Sequence, residues 1–343
     1  MIVHLFNPEN DLALAAGTER FTPPKAAVAM RNEGALLPLW WAGEDDAVVV
    51  NGPINSDYLD AARRAGFHAP VLRKLPFTAD AIASPWGWSM HARRILIDGG
   101  MDINSLPSEA QLARHRELSH RRTSLKLLQA IGEKNALLPV EATTPEEAFD
   151  AIKRFNGDAY IKLPWSGSGR GVFHTTHLSP ETLGNYVRGF IKRQGSVMVE
   201  KARKRIKDFA MLFEADDNGV HYSGLSSFAT DSRGAYYGNL IASQSYILST
   251  IGSDPRYLAV TIERALAGII GSDYRGWIGV DMMTEERDGR VEIVPCVEVN
   301  LRMTMGVAAM LIRRGLPDYS EPLLLSVGKE PLSKLFEKRI KSV

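Results

Sequence analysis

The sequence predicts an α/β protein whose later part is built of α+β subdomains. Three observations carry this. An opening unit at residues 2–17 runs apolar strand, polar loop, helix and glycine. A capped helix at 145–155 leads into a strand and then a glycine-rich loop at 159–173. Two long strand-like runs at 276–302 are joined at Asp288-Gly289. Strand–loop–helix alternation is the mark of layered α/β folds, and their ligands sit at the carboxyl ends of strands.

The chain has 343 residues, enough for two or three packed units, expected at 1–110, 111–200 and 201–343. Hydrophobic residues make up 45% and charged residues 24%, an ordinary globular balance. A formal net charge of +1 gives no global attraction toward nucleic acid or membrane. The single cysteine, Cys296, forms no internal disulfide and belongs to no metal-ligand spacing. It is expected as a small core or site-lining residue. The N-terminal segment lacks a basic region and meets Asn7-Pro8 early, and no apolar run is long enough to span a bilayer. A cytoplasmic protein is the expectation.

In the first third, residues 12–16 are expected as a helix with Asp11 as its N-cap. The cluster Asn7, Glu9, Asn10 and Asp11 is either a turn with a cap or a substrate-side loop, and the turn is the simpler reading. Helices are expected at 26–32, 58–65 and 91–98, and strands at 38–41 and 47–50. Trp86 and Trp88, around Gly87, either line a pocket or pack in the core. Residues 108–131 are expected as one basic helix carrying Arg114, His115, Arg116, His120, Arg121, Arg122 and Lys126. Its charges read as a solvated face, because no aromatic residues interleave with them as in a nucleic-acid groove.

Thr144 and Glu147 form a capping box for the next helix. The strand 159–163 carries Lys162 into Ser166-Gly167-Ser168-Gly169-Arg170-Gly171. Alternating glycines leave backbone N–H groups free to cradle an anion, and a lysine on the entering strand adds a point charge for phosphate. The spacing is neither that of a Walker A loop nor that of a dinucleotide fingerprint. A strand at 196–201 ends on Glu200-Lys201. The basic run 201–207 precedes a strand at 208–213, a turn at 216–219, a long loop at 232–244 and a helix at 256–270. A basic surface helix is expected at 334–341.

The Asp-Gly pair at 288–289 suits a type I′ turn, which needs φ > 0 at both positions. A two-residue turn sets Arg287 against Arg290 and Asp281 against Cys296. Glu298 and Asn300 then share the face of Cys296 at period two, and Glu298 becomes a diagonal neighbour of Asp281 at about 7–8 Å. Val280, Val297, Val299 and Leu301 point to the other face. Two carboxylates and an amide oxygen on one face suit Mg2+, a hard cation bound by oxygen. A hairpin with an ordinary wet polar face is the competing account.

In this order, Lys126, Lys162, the loop 166–171, Val199-Glu200-Lys201, Asp208-Phe209, Gly279-Val280-Asp281 and Glu298-Val299-Asn300-Leu301-Arg302 resemble the motifs of the ATP-grasp superfamily. The resemblance covers residues 116–306. It implies an ATP-grasp fold behind an N-terminal α/β domain on the substrate side. It implies that Lys126 and Lys162 touch ATP phosphates and that Ser166, Gly167, Ser168, Gly169 and Gly171 form a phosphate lid. Glu200 and Lys201, with the backbone near Ala202 and Arg203, would hold adenine. Asp208 would hold the ribose, although the family more often has Glu there. Asp281, Glu298 and Asn300 would hold two Mg2+ ions, with Mn2+ as a substitute, and Arg302 would face the terminal or acyl phosphate. As in the family, Arg302 and Lys162 would be the catalytic groups.

The implied activity is an ATP-dependent carboxylate–amine (or thiol) ligase acting through an acyl phosphate, in a chain that forms a homodimer. Phosphoryl transfer asks a protein mainly for positioning and charge neutralisation, which suits these residues. Two alternatives stand beside it: a small-molecule kinase on the same fold, and a non-catalytic nucleotide-binding protein.

Overall fold

The computed structural model describes residues 1–50, 52–72, 80–167, 169, 171–230, 236–316 and 322–325. The first part runs β1 (Ile2–Leu5), α1 (Asn10–Ala16), α2 (Lys25–Gly34), β2 (Ala47–Val49), α3 (Ser56–Arg64), β3 (Val71–Leu72), β4 (Ile82–Pro85) and α4 (Met90–Asp98). Its strands form a parallel sheet in the order β3-β2-β1-β4. β1 has β2 on one side and β4 on the other, so the strand order reverses beside it. Such a switch point opens a crevice beyond the carboxyl ends of the strands. The loops there are 6–10 after β1 and 86–89 after β4.

Next come α5 (Glu109–Leu118) and α6 (Arg122–Ala130), then β5 (Val140–Ala142), α7 (Pro145–Arg154), β6 (Ala159–Lys162), β7 (Val172–His174), α8 (Pro180–Gln194) and β8 (Val197–Lys201). These strands form an antiparallel sheet in the order β5-β8-β6-β7. The Thr144–Glu147 capping box is present at the start of α7.

The last part holds β9 (Arg205–Asp216), β10 (Gly219–Thr230), β11 (Tyr236–Ile241), α9 (Gln244–Ile251), α10 (Ala259–Ile270), β12 (Gly276–Arg287), β13 (Arg290–Asn300), α11 (Met305–Gly315) and β14 (Leu323–Leu325). Its strands make an antiparallel sheet in the order β13-β12-β9-β10-β11-β14.

Both faces of this large sheet are covered. On one face Phe209, Met211 and Phe213 pack with Leu127, Ile262 and Leu266. On the other, Leu212 and Ile241 share a core with Val307 and Ile312 of α11 and with Phe6, Leu37 and Trp40 of the first part. Among the described residues no helix is long and apolar enough to cross a membrane.

Several expectations are corrected. Residues 37–40 are a 3-10 turn rather than a strand, with Pro38 in its first turn. Asp11 does not cap α1, since the N-cap position is Glu9 and no side chain caps it. The loop expected at 232–244 contains β11, and 3-10 residues 255–258 precede α10. Residues 231–235 and the helix expected at 334–341 lie outside the described residues.

The single helix expected over 108–131 is two helices with an elbow at Ser119-His120-Arg121. Thr123 Oγ1 donates to the Leu118 carbonyl, and Arg121 N donates to the Pro164 carbonyl. The elbow therefore exchanges intrahelical bonds for ties to a neighbouring loop. It also buries part of the presumed solvated face: His115, His120 and Arg121 are each at most 5% exposed.

His115 stacks on Tyr274, its ring centroid 5.4 Å away. Burial pulls its pKa down to about 4. Between pH 6.5 and 4 the unfolded chain therefore binds a proton that the folded chain refuses. This contribution to stability is complete above pH 6.5 and is lost as the pH falls toward 4. The expected slope is about 1.4 kcal/mol per pH unit. Urea unfolding across this window should show a steeper loss for the wild type than for His115→Phe, which keeps a stacked ring without the titration.

Candidate active site

The hairpin of β12 and β13 turns at Asp288 and Gly289, with φ of 51° and 74°, and Arg287 faces Arg290 as expected. The register then departs from the simple count. Met283 pairs with Val294, but Asp281 pairs with Glu298 rather than Cys296. Three residues, Pro295-Cys296-Val297, stand opposite the single residue Met282. Pro295 has no N–H for the ladder, and a bulge is where a strand accommodates it. Cys296 is turned into the apolar cluster with Val280, Val299 and Leu301, where burial raises its thiol pKa; Ser124 and the surrounding charges of Glu200, Asp281 and Glu298 act less strongly. It is a core residue, protonated and inert.

The bulge brings the two carboxylates closer than expected, into direct cross-strand register. Burial first, and then the neighbouring Glu298 charge, raise the pKa of Asp281 well above the carboxylate range. Asn300 Nδ2 donates to Asp281 Oδ2 at 3.1 Å. The Asn300 Oδ1 atom accepts from Arg302 Nη2 at 3.0 Å. Two facing carboxylates and one amide oxygen therefore form an all-oxygen donor set that fits a hard divalent cation. Among the described residues no group of three or more His, Cys, Asp or Glu side chains gathers to hold a metal, here or elsewhere, so the site offers two carboxylates and an amide.

Around these acids lie cations, one of which the sequence reading missed. Arg121 pairs with Glu298, Nη1 to Oε2 at 2.9 Å. Its Nε donates to the Leu163 carbonyl at 2.9 Å and its Nη2 to Ser166 Oγ at 3.1 Å. One guanidinium thus ties a candidate metal ligand to the root of the glycine loop. The loop entry is clamped further, with Arg116 over the Trp165 ring at 3.8 Å and the Trp165 N–H donating to Gln194 Oε1 at 2.9 Å. Gly167 then lies against Asp11 so closely that a side chain there would collide with the carboxylate. Gly169 and Gly171 take φ of 74° and 72°, open to glycine at little cost. Ser168 lies outside the described residues.

Arg302 reaches across to the first part of the chain. Its Nε and Nη2 fork onto the two oxygens of Asp11 at 2.8 and 2.7 Å. Beside it, Met303 N donates to the Trp86 carbonyl at 2.8 Å. Asn7 Nδ2 donates to the Gly87 carbonyl at 2.9 Å, and Trp86 is a core residue set edge-on to Phe6. The crevice of the parallel sheet therefore opens onto Arg302, with Asn10, Asp11, Ser119, Trp165 and Glu298 around it.

Lys162 and Glu200 come together as an ion pair across β6 and β8. The other expected nucleotide contacts lie in these surroundings. Lys126 is exposed on α6 and makes no hydrogen bond or ion pair with the described residues. Lys201 is exposed, Ala202 N donates to the Asp158 carbonyl, Arg203 pairs with Glu285 at 2.9 Å, and Asp208 pairs with Arg205 at 3.1 Å.

No protein-family model and no curated protein sequence matches the chain. Solved structures do. The biotin carboxylase domain dimer of 2-oxoglutarate carboxylase from Hydrogenobacter thermophilus, in complex with MgADP, ADP and bicarbonate, aligns at a TM-score of 0.50. The match covers 93% of this chain and 71% of that one, at 14% identity. Phosphoribosylamine–glycine ligase from Thermotoga maritima aligns at 0.48 over 91% and 71%, at 15% identity. N5-carboxyaminoimidazole synthetase from Staphylococcus aureus, complexed with ADP, aligns at 0.46 over 94% and 80%, at 12% identity. The fold is the ATP-grasp fold: a parallel N-terminal sheet followed by two antiparallel sheets, with a glycine loop between β6 and β7.

Removing Arg121 leaves the partly buried Glu298, its side chain 21% exposed, without its nearest countercharge. Arg121→Met should cost about 3 kcal/mol of unfolding free energy at neutral pH. The double variant with Glu298→Gln should regain a measurable part of that, so a double-mutant cycle by urea unfolding will read a coupling energy between the two sites.

Proposed function

We propose that the chain is an ATP- and Mg2+-dependent ligase that activates a carboxylate as an acyl phosphate for attack by an amine or thiol. The observation that carries this is the meeting of Asp281, Glu298 and Asn300 with Arg121 and Arg302, under a glycine loop and beside the crevice of a parallel sheet. Phosphoryl transfer is accelerated by positioning and by countercharge, and these groups supply both. The fold is shared with a solved biotin carboxylase domain, whose structure holds MgADP.

In this reading Asp281, Glu298 and Asn300 hold Mg2+, or Mn2+ in its place. The bound ion neutralises charge on the phosphate oxygens. Lys162 leaves Glu200 to bind phosphate oxygens, and Glu200 with Lys201 and the backbone at 202–203 holds the adenine. Asp208 holds the ribose and Lys126 reaches the phosphates from α6. The substrate carboxylate attacks the terminal phosphorus and ADP departs with the electrons of the broken P–O bond. Arg302 steadies the charge that builds on the transferred group. The amine then attacks the acyl carbon, inorganic phosphate leaves, and the proton of the amine is given up. The loop 164–171 shuts over the acyl phosphate and keeps water from it. Residues 1–110 bind the acceptor, 111–200 carry the lid and 201–343 carry the metal site.

Incubation with Mg-ATP and pooled carboxylates and amines tests this by phosphate release. A ligase needs both an acid and an amine in the pool. Release with an alcohol alone would make the chain a kinase, and nucleotide binding without turnover in any pool would make it a non-catalytic binder. Glu298→Gln, which keeps a hydrogen-bonding partner for Arg121, should lower kcat at least about 100-fold, by removing a charge ligand from the metal site. Its melting temperature should fall, because the buried Arg121 loses its countercharge, so kcat is compared well below the unfolding transition, where the variant is folded. Near-full activity in that variant would sink the metal assignment.

A further inference from the structure

A guanidinium has five N–H donors fixed in one plane. In Arg302, Nε and one Nη2 hydrogen go to Asp11, a second Nη2 hydrogen goes to Asn300 Oδ1, and Nη1 donates to the Met303 carbonyl at 3.1 Å. Four of the five are engaged within the described residues, and one N–H of Nη1 remains for a ligand. The two oxygens of Asp11 take the whole forked edge, the edge best shaped for two phosphate oxygens.

Asp11 is 291 residues from Arg302 in sequence and belongs to the first turn of α1. It caps no backbone N–H; a first-turn acid complements the helix dipole, but both of its oxygens are given to Arg302. Its carboxylate is also the surface against which Gly167 of the glycine loop lies. Both partners are mostly shielded, with side chains 17% and 20% exposed, so their charges are felt strongly.

We propose that Asp11 is a positioning residue that sets the strength with which Arg302 holds the terminal phosphate of a nucleotide. This rests on the reading of Arg302 as the residue that faces that phosphate. Asp11 aims the guanidinium plane and cancels most of its charge. A terminal phosphate then meets a single free N–H and a nearly neutral pair, instead of a bare fork. Discrimination between a nucleoside triphosphate and its diphosphate is held down by the chain's own carboxylate. Any group that draws Asp11 away, including an acceptor entering the crevice, raises it.

Calorimetric titration of Mg-ADP and of a non-hydrolysable Mg-ATP analogue into the full chain tests this without turnover. Asp11→Asn keeps the size of the side chain and removes its charge. It should tighten the triphosphate analogue about tenfold, the change expected for freeing about 1.4 kcal/mol of Arg302 interaction. Mg-ADP affinity should stay within about twofold. In an Arg302→Met background the same Asp11→Asn change should move neither affinity. A purely structural role for the pair would weaken both nucleotides together, and that result overturns the proposal. So does an unmoved ratio of the two affinities in a protein that binds both. If the wild type binds neither nucleotide, the reading of the site as nucleotide-binding fails, and this inference fails with it.

Discussion

The ion pair between Arg121 and Glu298 is the interaction on which the candidate site depends. Arg121, only 5% exposed, would not be stable alone where it lies, because a buried ion without a partner loses far more hydration than packing returns. Arg121 gets there only because α5 and α6 break at the elbow, and the elbow is secured by bonds to the loop that follows β6. Glu298 is set opposite Asp281 only because β13 bulges at Pro295. The pair thus joins a helix break, a strand bulge and the root of the glycine loop, features far apart in sequence, into one arrangement.

The same logic runs through the rest of the site. Lys162 is matched by Glu200, Arg302 by Asp11, and Asn300 bridges Asp281 and Arg302. Apart from Lys126, each group proposed to bind a phosphate or a cation already has a partner of opposite sign or a hydrogen bond. Ligand entry is then an exchange of partners rather than the creation of charge in a low-dielectric place. An exchange of this kind costs less desolvation than filling a bare site. It also couples the pieces: a cation taken by Glu298 alters what Arg121 offers to Ser166.

The hairpin could be read in the sequence because Asp-Gly has a strong local preference, and both residues do adopt φ > 0. The capping box at Thr144 and Glu147 was equally local. The register at Asp281 could not be reached by simple counting, although the signal was there: Pro295 cannot serve a ladder, and a proline inside a strand run announces a bulge. Arg121 was hidden for a different reason. A run of basic residues on a helix is usually solvated, and nothing at 119–121 is a strong helix breaker. The elbow is set by tertiary bonds to Pro164 and Leu163. The Asp11–Arg302 fork was beyond reach altogether, since no local pattern links residues 291 positions apart. Its only trace was a negative one, an acid at a helix start that turned out to cap nothing.

The core shared by Phe6, Leu37 and Trp40 with Val307 and Ile312 has a consequence for how the protein comes into being. The first strand leaves the ribosome early, but the apolar surface that covers its neighbourhood is made last, with α11. Contacts of such sequence separation carry a large loop-closure entropy and close late. Until α11 has emerged, the parallel sheet has one face open to water and to other nascent chains. A chain cut before residue 305 would therefore lack the α11 side of this core.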